Sequence, residues 1–281
     1  MNTWLIIDSD FMCHRAMHSF GNELHHEDVK TGIVFGYLRM MQLLEERFEA
    51  TGSIHCFNHG RNQRLDLFPA YKQHRKRTEL SDEEVLAWKE FDKQRELLKT
   101  DYLPQISQNV FYQDGYESDD IMAAVKVSPP DDAVMVTSDR DMLQCIRPNI
   151  VFFDPQHTKL INEESFARDH GYPAQDYWKV LVLAGCSTDG VPGIPKIGKK
   201  TAEGYVAKTP IQPWRKALLK EGFKEAIKRN KPLVKLPMEG CSEVIPVPED
   251  LSVKAWNSLC RQLGFKSLRK KPDGQRKRKL V

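Results

Sequence analysis

Three short apolar runs bounded by turn residues predict strands in the first half of the chain. Trp4-Leu5-Ile6-Ile7 is uninterrupted and ends in Asp8-Ser9-Asp10, while residues 109–113 (Asn-Val-Phe-Tyr-Gln) and 132–137 (Asp-Ala-Val-Met-Val-Thr) are β-branched or aromatic. Ile121, Met122, Ala123, Ala124 and Val125 have the apolar content of a buried helix that begins near Asp119. Ser81-Asp82-Glu83-Glu84 has the form of a capping box, and Val85, Trp88, Phe91, Leu98 and Tyr102 follow it at roughly helical spacing. Strand, acidic turn, helix, strand, acidic turn is an α/β order, which puts sites at the carboxyl ends of strands. Residues 207–255 read as short amphipathic pieces broken by six prolines, with no chemistry to assign.

Each predicted strand runs toward acids. Gly115-Tyr116-Glu117-Ser118-Asp119-Asp120 follows the second, Ser138-Asp139-Arg140-Asp141 the third, and Asp8 closes the first. Single acids at helix starts commonly cap the helix or oppose its dipole. Acids at three strand ends repel one another unless a cation lies between them, and hard oxygen donors suit Mg²⁺ or Mn²⁺.

Two further segments carry positive charge. Arg64 to Arg77 interleaves Phe68 and Tyr71 with Arg64, Lys72, Arg75, Lys76 and Arg77, which is equipment for gripping phosphates and stacking a base, or else a solvated basic face. From Gly190 the chain reads Gly-Val-Pro-Gly193-Ile-Pro-Lys196-Ile-Gly198-Lys199-Lys200-Thr201, a glycine-rich turn opening onto a helix whose backbone N–H groups can hold a duplex phosphate. The spacing is not that of a Walker loop.

Composition agrees with an intracellular, nucleic-acid-directed protein. The formal charge of +3 conceals a basic 266–281 segment at +7 and a remainder at −4. That tail reads as disordered, either an arm for nucleic acid or a solubilising extension. Six cysteines show no Cys-x-x-Cys spacing and are expected to be reduced. Leu5-Ile6-Ile7 runs straight into Asp8, so no signal peptide is expected, and no apolar stretch approaches membrane-spanning length. The expected location is the cytoplasm, or a host cytoplasm for a bacteriophage protein.

The order and spacing of these motifs resemble the 5′-nuclease (flap endonuclease) family, which includes the 5′→3′ exonuclease domain of bacterial DNA polymerase I and stand-alone bacteriophage exonucleases. Ile6-Ile7-Asp8 with Arg15-Ala16 resembles the family's first strand, and Gly32 to Leu38 its first core helix. Arg64 to Arg75 is similar to the entry of the helical arch, residues 115–120 and 138–141 to the two internal acidic motifs, and Ala184 to Ala202 to a helix–three-turn–helix. The likeness covers roughly residues 4–206 and continues weakly from Trp256 to Leu268.

The resemblance implies an α/β fold, a mixed central sheet flanked by helices (a PIN-like core), over 1–170, with an arch at about 64–104. A helical DNA-binding region over 171–265 would follow, and then the tail. It implies two Mg²⁺ ions, with Mn²⁺ as substitute, held by Asp8, Glu117, Asp119 and Asp120 on one side and Asp139, Asp141 and Asp189 on the other. Lys72 would contact the scissile phosphate with Arg75 as helper, Tyr71 would stack on a base, and Arg64 would bind DNA. Gly193, Lys196, Gly198, Lys199, Lys200 and Thr201 would grip the duplex, with a monovalent cation at that turn. The implied partner is DNA with a free 5′ end, a 5′ flap or a paired RNA primer, bound by a monomer that a polymerase or single-strand binding protein could recruit. Two positions depart from the pattern: Asn58 and Cys186 stand where the family usually has aspartates. They keep open a binding protein with weakened catalysis. A PIN-type ribonuclease is a second alternative.

Overall fold

The computed structural model describes residues 2–20, 24–75, 80–248 and 252–270. Its first half runs β1 (Thr3–Asp8), α1 (Ser9–Phe20), β2 (His25–His26), β3 (Val29–Lys30), α2 (Gly32–Phe48), β4 (Gly52–Cys56), α3 (Arg64–Leu67), α4 (Asp82–Leu97), β5 (Val110–Phe111) and α5 (Ser118–Ala123). The second half runs β6 (Asp132–Val136), β7 (Ile150–Asp154), β8 (Lys159–Ile161), α6 (Glu163–His170), α7 (Tyr177–Ala184), β9 (Gly185–Cys186), β10 (Val191–Pro192), α8 (Lys199–Val206), α9 (Pro213–Val234) and α10 (Val253–Gln262).

The main sheet has the order β5-β4-β1-β6-β7-β8, parallel except for β8, so it is mixed as the sequence implied. Both faces of β1 are covered, which explains its unbroken apolar run. Trp4 and Ile6 pack with Ile54, Met135 and the residues of α5 and α7, while Leu5 and Ile7 pack with Tyr37, Leu38, Val136 and Trp256 from α2, β6 and α10. After β1 the chain builds β4 and β5 on one side and then crosses to β6 and β7 on the other. This topological switch leaves a crevice beyond the carboxyl ends of β1 and β6, where Asp8 and the 138–141 turn emerge.

Helix α4 starts with the expected capping box between Ser81 and Glu84. Phe91 is buried and Trp88 packs beside it against α1, so both serve the core. Lys76 and Arg77, part of the basic run, lie outside the described residues. The second strand is shorter than the sequence suggests, because the Asn109 side chain is taken by the backbone of Val247 and Tyr112 turns to solvent.

Two expectations are corrected. The proline-rich 207–255 stretch contains α9, a helix of 22 residues whose Pro213 sits in the first turn, where its missing N–H costs nothing, and whose Pro232 falls near its end. The first part of the basic tail is ordered. Leu268 is buried, its carbonyl accepts from Trp256 Nε1, Asn257 pairs with the Lys270 backbone in both directions, and the Lys270 ammonium meets Glu45 at 2.6 Å. Residues 271–281 lie outside the described residues.

The turn between α7 and α8 depends on one close backbone approach. A Cβ on Gly193 would sit 2.2 Å from the carbonyl carbon and oxygen of Ala184, whereas one on Gly198 would meet nothing within 4 Å. Gly193→Ala is therefore expected to cost about 3 kcal/mol through overpacking against rigid backbone. Gly198→Ala is expected to stay near wild type in the same chemical denaturation series. Equal midpoints for the two variants would show that the close approach relaxes without cost.

Candidate active site

Strand ends and two short helical turns deliver the acids. Asp8, last in β1, accepts from Thr137 Oγ1 at 2.8 Å, Ser118 Oγ at 3.2 Å and the Phe11 N–H at 3.1 Å. Thr137 follows β6 and Ser118 opens α5, so two hydroxyls to which the sequence reading gave no role orient the first acid; Ser118 sits inside the 115–120 acidic motif and Thr137 directly before the 138–141 one. Asp139 accepts the Asp141 N–H at 2.8 Å, which starts the 3₁₀ turn Arg140–Cys145 and sends Asp141 back toward the crevice. Ser138 donates to Asp154 at the end of β7, which braces this turn from behind. Asp189 arrives from the short turn Ser187–Asp189, beside the paired strands β9 and β10.

Asn58, at a departure from the family pattern, is structurally employed. Its Oδ1 accepts the Ser118 N–H at 2.6 Å at the start of α5, and its own N–H is held by Asp10. Asp10 in turn pairs with Arg95 of α4 at 2.6 Å, tying the last turn of that helix to the first turn of α1.

The charge balance divides the acids. Burial, then Asp10 and Asp139, push Asp8 up to about 7. Burial followed by Asp139 raises Asp141 to about 7, and burial followed by Asp139 and Asp8 raises Asp119 as well. Asp139 is raised by burial and Asp189, despite help from the Asp141 N–H. Glu117 goes the other way: burial pushes it up, but Lys72 at 2.5 Å and Arg64 at 3.5 Å hold it below the usual range. Lys72 is raised, since Glu117 and Asp189 outweigh its burial.

Three residues expected at the metals or on DNA have other tasks. Arg64 and Asp120 form a two-pronged ion pair at 2.6 and 2.8 Å, the two side chains being 1% and 0% exposed. Asp120 also accepts the Met238 N–H, and Arg64 donates to the Leu233 carbonyl, so the pair staples α3, α5 and the end of α9 together. Asp120 is thereby corrected from metal ligand to ion-pair partner, and Arg64 from DNA contact to buried strut. Tyr71 is 4% exposed and lies with its hydroxyl 2.9 Å from both Glu117 and Asp189, one proton between two carboxylates. Its ring is not free to stack on a base.

Lys72 and Arg75 do reach the cluster. Lys72 lies 3.6 Å and Arg75 3.0 Å from Asp189, and Arg75 also donates to the Thr188 carbonyl. The glycine-rich turn is a separate surface. Gly193 is packed against Ala184, Lys196 and Lys200 are exposed, and Gly198 precedes α8. Lys199 donates to the Tyr177 hydroxyl at 2.8 Å, and Thr201 is buried and accepts from Arg215 at 3.0 Å.

This donor set fits divalent cations. Asp8, Asp119, Asp139 and Asp141 lie near enough to raise one another's pKa on top of burial, so their ionised forms are disfavoured, which is what an acid cluster short of counter-charge should show. Asp141, Cys186 and Asp189 each offer a donor atom within 4.8 Å of the others.

A family model described as 5′-3′ exonuclease, N-terminal resolvase-like domain, matches residues 3–171. The chain is 26% identical to the 5′-3′ exonuclease of Aquifex aeolicus over 290 residues, covering 97% of this chain and 96% of that protein. It is 28% identical to the 5′-3′ exonuclease of Buchnera aphidicola over 203 residues, covering 70% and 67%. The bacteriophage T5 D15 flap endonuclease, solved as a pseudo-enzyme-product complex with DNA and metal ions, shares the fold at a TM-score of 0.66 and 19% identity, covering 95% of this chain and 96% of that one. No described helix is long and apolar enough to cross a membrane. With a strand-end acid cluster and a family model spanning well over half its length, the chain belongs to the 5′-3′ exonuclease family.

Proposed function

We propose that this chain hydrolyses phosphodiesters of DNA bearing a free 5′ end or 5′ flap, with Mg²⁺ as its cofactor and Mn²⁺ as a substitute. The observation that carries this reading is a group of four acids, Asp8 buried and Asp119, Asp139 and Asp141 half-buried, whose ionised forms are disfavoured even with the ammonium of Lys72 acting on the last three. Asp8, Asp119 and Asp139 would hold one ion with Glu117 beside it, and Asp141 and Asp189 a second. When bound, the ions supply Lewis acidity toward the phosphodiester and a more acidic water.

The chain's own residues do the positioning. Lys72 and Arg75 stand at the arch entry and balance carboxylates; an incoming phosphate competes for the same cations, so Lys72 can turn from Glu117 to the scissile phosphate as charge grows there. Lys196, Lys199 and Lys200, with the N–H groups opening α8, suit duplex phosphates without reading sequence. Residues 1–170 would supply chemistry, with the arch at about 64–104, and 171–265 duplex contacts. The second reading, a DNA-binding protein without catalysis, is favoured by one observation: the Cys186 thiol occupies a position beside Asp141 where a carboxylate would otherwise serve the second ion.

A fluorescent 5′-flap substrate separates the two. Cleavage in Mg²⁺ that EDTA abolishes is expected, with Asp119→Ala and Asp139→Ala folded but inactive. Undiminished cutting by either variant removes the proposed site, and binding without cutting under any metal supports the second reading.

Lys72→Ala is expected to lower the single-turnover rate by about a hundredfold, the scale for loss of one electrostatic donor, with a smaller change in DNA affinity. A variant that binds weakly yet cuts normally when saturated would make Lys72 a binding residue alone.

The acid cluster also sets a pH dependence. Asp8 and Asp141 keep protons in the folded state up to about 7 that the unfolded chain has already released. The metal-free fold therefore loses stability as pH rises from about 5 to about 8, because the folded state binds more protons in that window. Glu117, shifted below its usual value, has finished titrating there. The gap in Tm between Mg²⁺-loaded and EDTA-treated protein should widen with pH across the window. A constant gap would mean that Mg²⁺ does not relieve this cluster.

A further inference from the structure

One donor in the candidate site suits no hard cation. Cys186 is held on the paired strands β9 and β10, opposite Val191, and its thiol donates to Asp141 Oδ2 at 3.2 Å and lies 3.0 Å from Thr188 Oγ1. With Asp189 it completes a trio of donors within 4.8 Å, the one group of this kind found among the described residues. We propose that Asp141, Cys186 and Asp189 form a mixed thiolate and carboxylate site that captures a thiophilic divalent cation, of the zinc or cobalt class, far more tightly than Mg²⁺. The proposal rests on the nuclease reading only for what a second ion would do, not for whether a thiophilic ion binds.

The geometry and the chemistry agree. A tetrahedral zinc site with bond lengths of about 2.3 Å to sulfur and about 2.1 Å to oxygen has its sulfur and oxygen donors about 3.6 Å apart. The 3.2 Å between Cys186 Sγ and Asp141 Oδ2 needs only a few tenths of an ångström to open. Three protein donors leave a fourth position for water or substrate, the pattern of zinc sites that do chemistry. Softness sets the preference: a thiolate adds to the affinity for zinc or cobalt and little to that for Mg²⁺. As the sulfur–metal bond forms the thiol proton passes to solvent, so three anionic donors meet a doubly charged ion. The ion must also draw Asp189 from Arg75 and Lys72, which keep their contacts with Thr188 and Glu117.

Metal-free, full-length protein titrated with Co²⁺ tests this directly. A sulfur-to-cobalt charge-transfer band should appear in the near ultraviolet, saturate at one ion, and be displaced by Zn²⁺ but not by a large excess of Mg²⁺. Cys186→Ser should lose the band and bind Co²⁺ at least about tenfold more weakly, the scale on which a lost metal contact shows. Cys186→Asp should lose the band while lowering the Mg²⁺ needed for half-saturation. No band in the wild type, a band that survives in Cys186→Ser, or a band unchanged by the Asp141→Asn, Asp189→Asn double substitution overturns the proposal. Should the serine variant fold poorly, the wild-type band and its displacement by Zn²⁺ still decide. Mg²⁺-dependent flap cleavage by the same preparation is read separately: cleavage without a band defeats this inference alone, and a band without cleavage defeats only the nuclease reading.

Discussion

The cost of gathering desolvated carboxylates, burial first and their mutual repulsion second, is the constraint around which this structure is arranged. A mixed sheet whose strand order switches sides between β1 and β6 brings Asp8, Asp139 and Asp119 to one crevice, and burial disfavours the charge of each. A fold does not hold such groups together for stability. The hydroxyls of Thr137 and Ser118 and the Phe11 N–H fix Asp8 without adding a full positive charge, so the cluster stays oriented and electrically hungry. Protons satisfy it at low pH; a divalent cation would satisfy it at neutral pH.

Around this cluster the cations fall into two kinds. Arg64 and Arg95 are spent on architecture, one pinning α5 through Asp120, the other pinning α4 through Asp10. Removing one member of the buried Arg64–Asp120 pair would strand a charge at a cost of about 3–5 kcal/mol, so that pair cannot also serve a ligand that comes and goes. Lys72 and Arg75 are more exposed, at 21% and 48%, and their carboxylate partners are shared with Tyr71. Being less buried than the Arg64–Asp120 pair, these contacts cost less to exchange for a phosphate. Burial thus separates cations that hold the fold from cations free to meet a substrate, although all four lie close to acids.

Much of the fold was legible because β1 is an unbroken apolar run and because the acids follow strands; period and punctuation carried both signals. Helix α4 was legible from Ser81 and Glu84. The roles of Asp120 and Arg64 were not, since a carboxylate next to Asp119 looks like a ligand until a guanidinium 56 residues away is seen to cover it. Tyr71 misled for a related reason: an aromatic among lysines suggests stacking, and only the packing shows its ring buried and its hydroxyl bridging two acids. Helix α9 was hidden by its prolines, which a local reading counts as breaks whereas position within the helix decides their effect. Lys266–Leu268 was hidden by charge, because the docking of Leu268 depends on α10.

The two halves of the acid cluster differ in what an arriving ion must displace. Among Asp8, Asp119 and Asp139 burial and then repulsion already favour any cation, so an ion there relieves a penalty and, among the described residues, breaks no salt bridge to these three. At Asp141 and Asp189 an ion meets compensation in place: Arg75 and Lys72 lean on Asp189, and the Cys186 thiol already donates to Asp141. A hard ion gains less there, as it trades existing contacts for new ones and finds one oxygen fewer than a site with an aspartate at 186 would offer. Affinity for Mg²⁺ should therefore be unequal between the halves, strong where the acids stand alone and weak where cations and a thiol have begun to do the metal's work. A bound phosphate would shift that balance by drawing Lys72 and Arg75 away from their carboxylates, which couples filling of the weaker half to the presence of substrate.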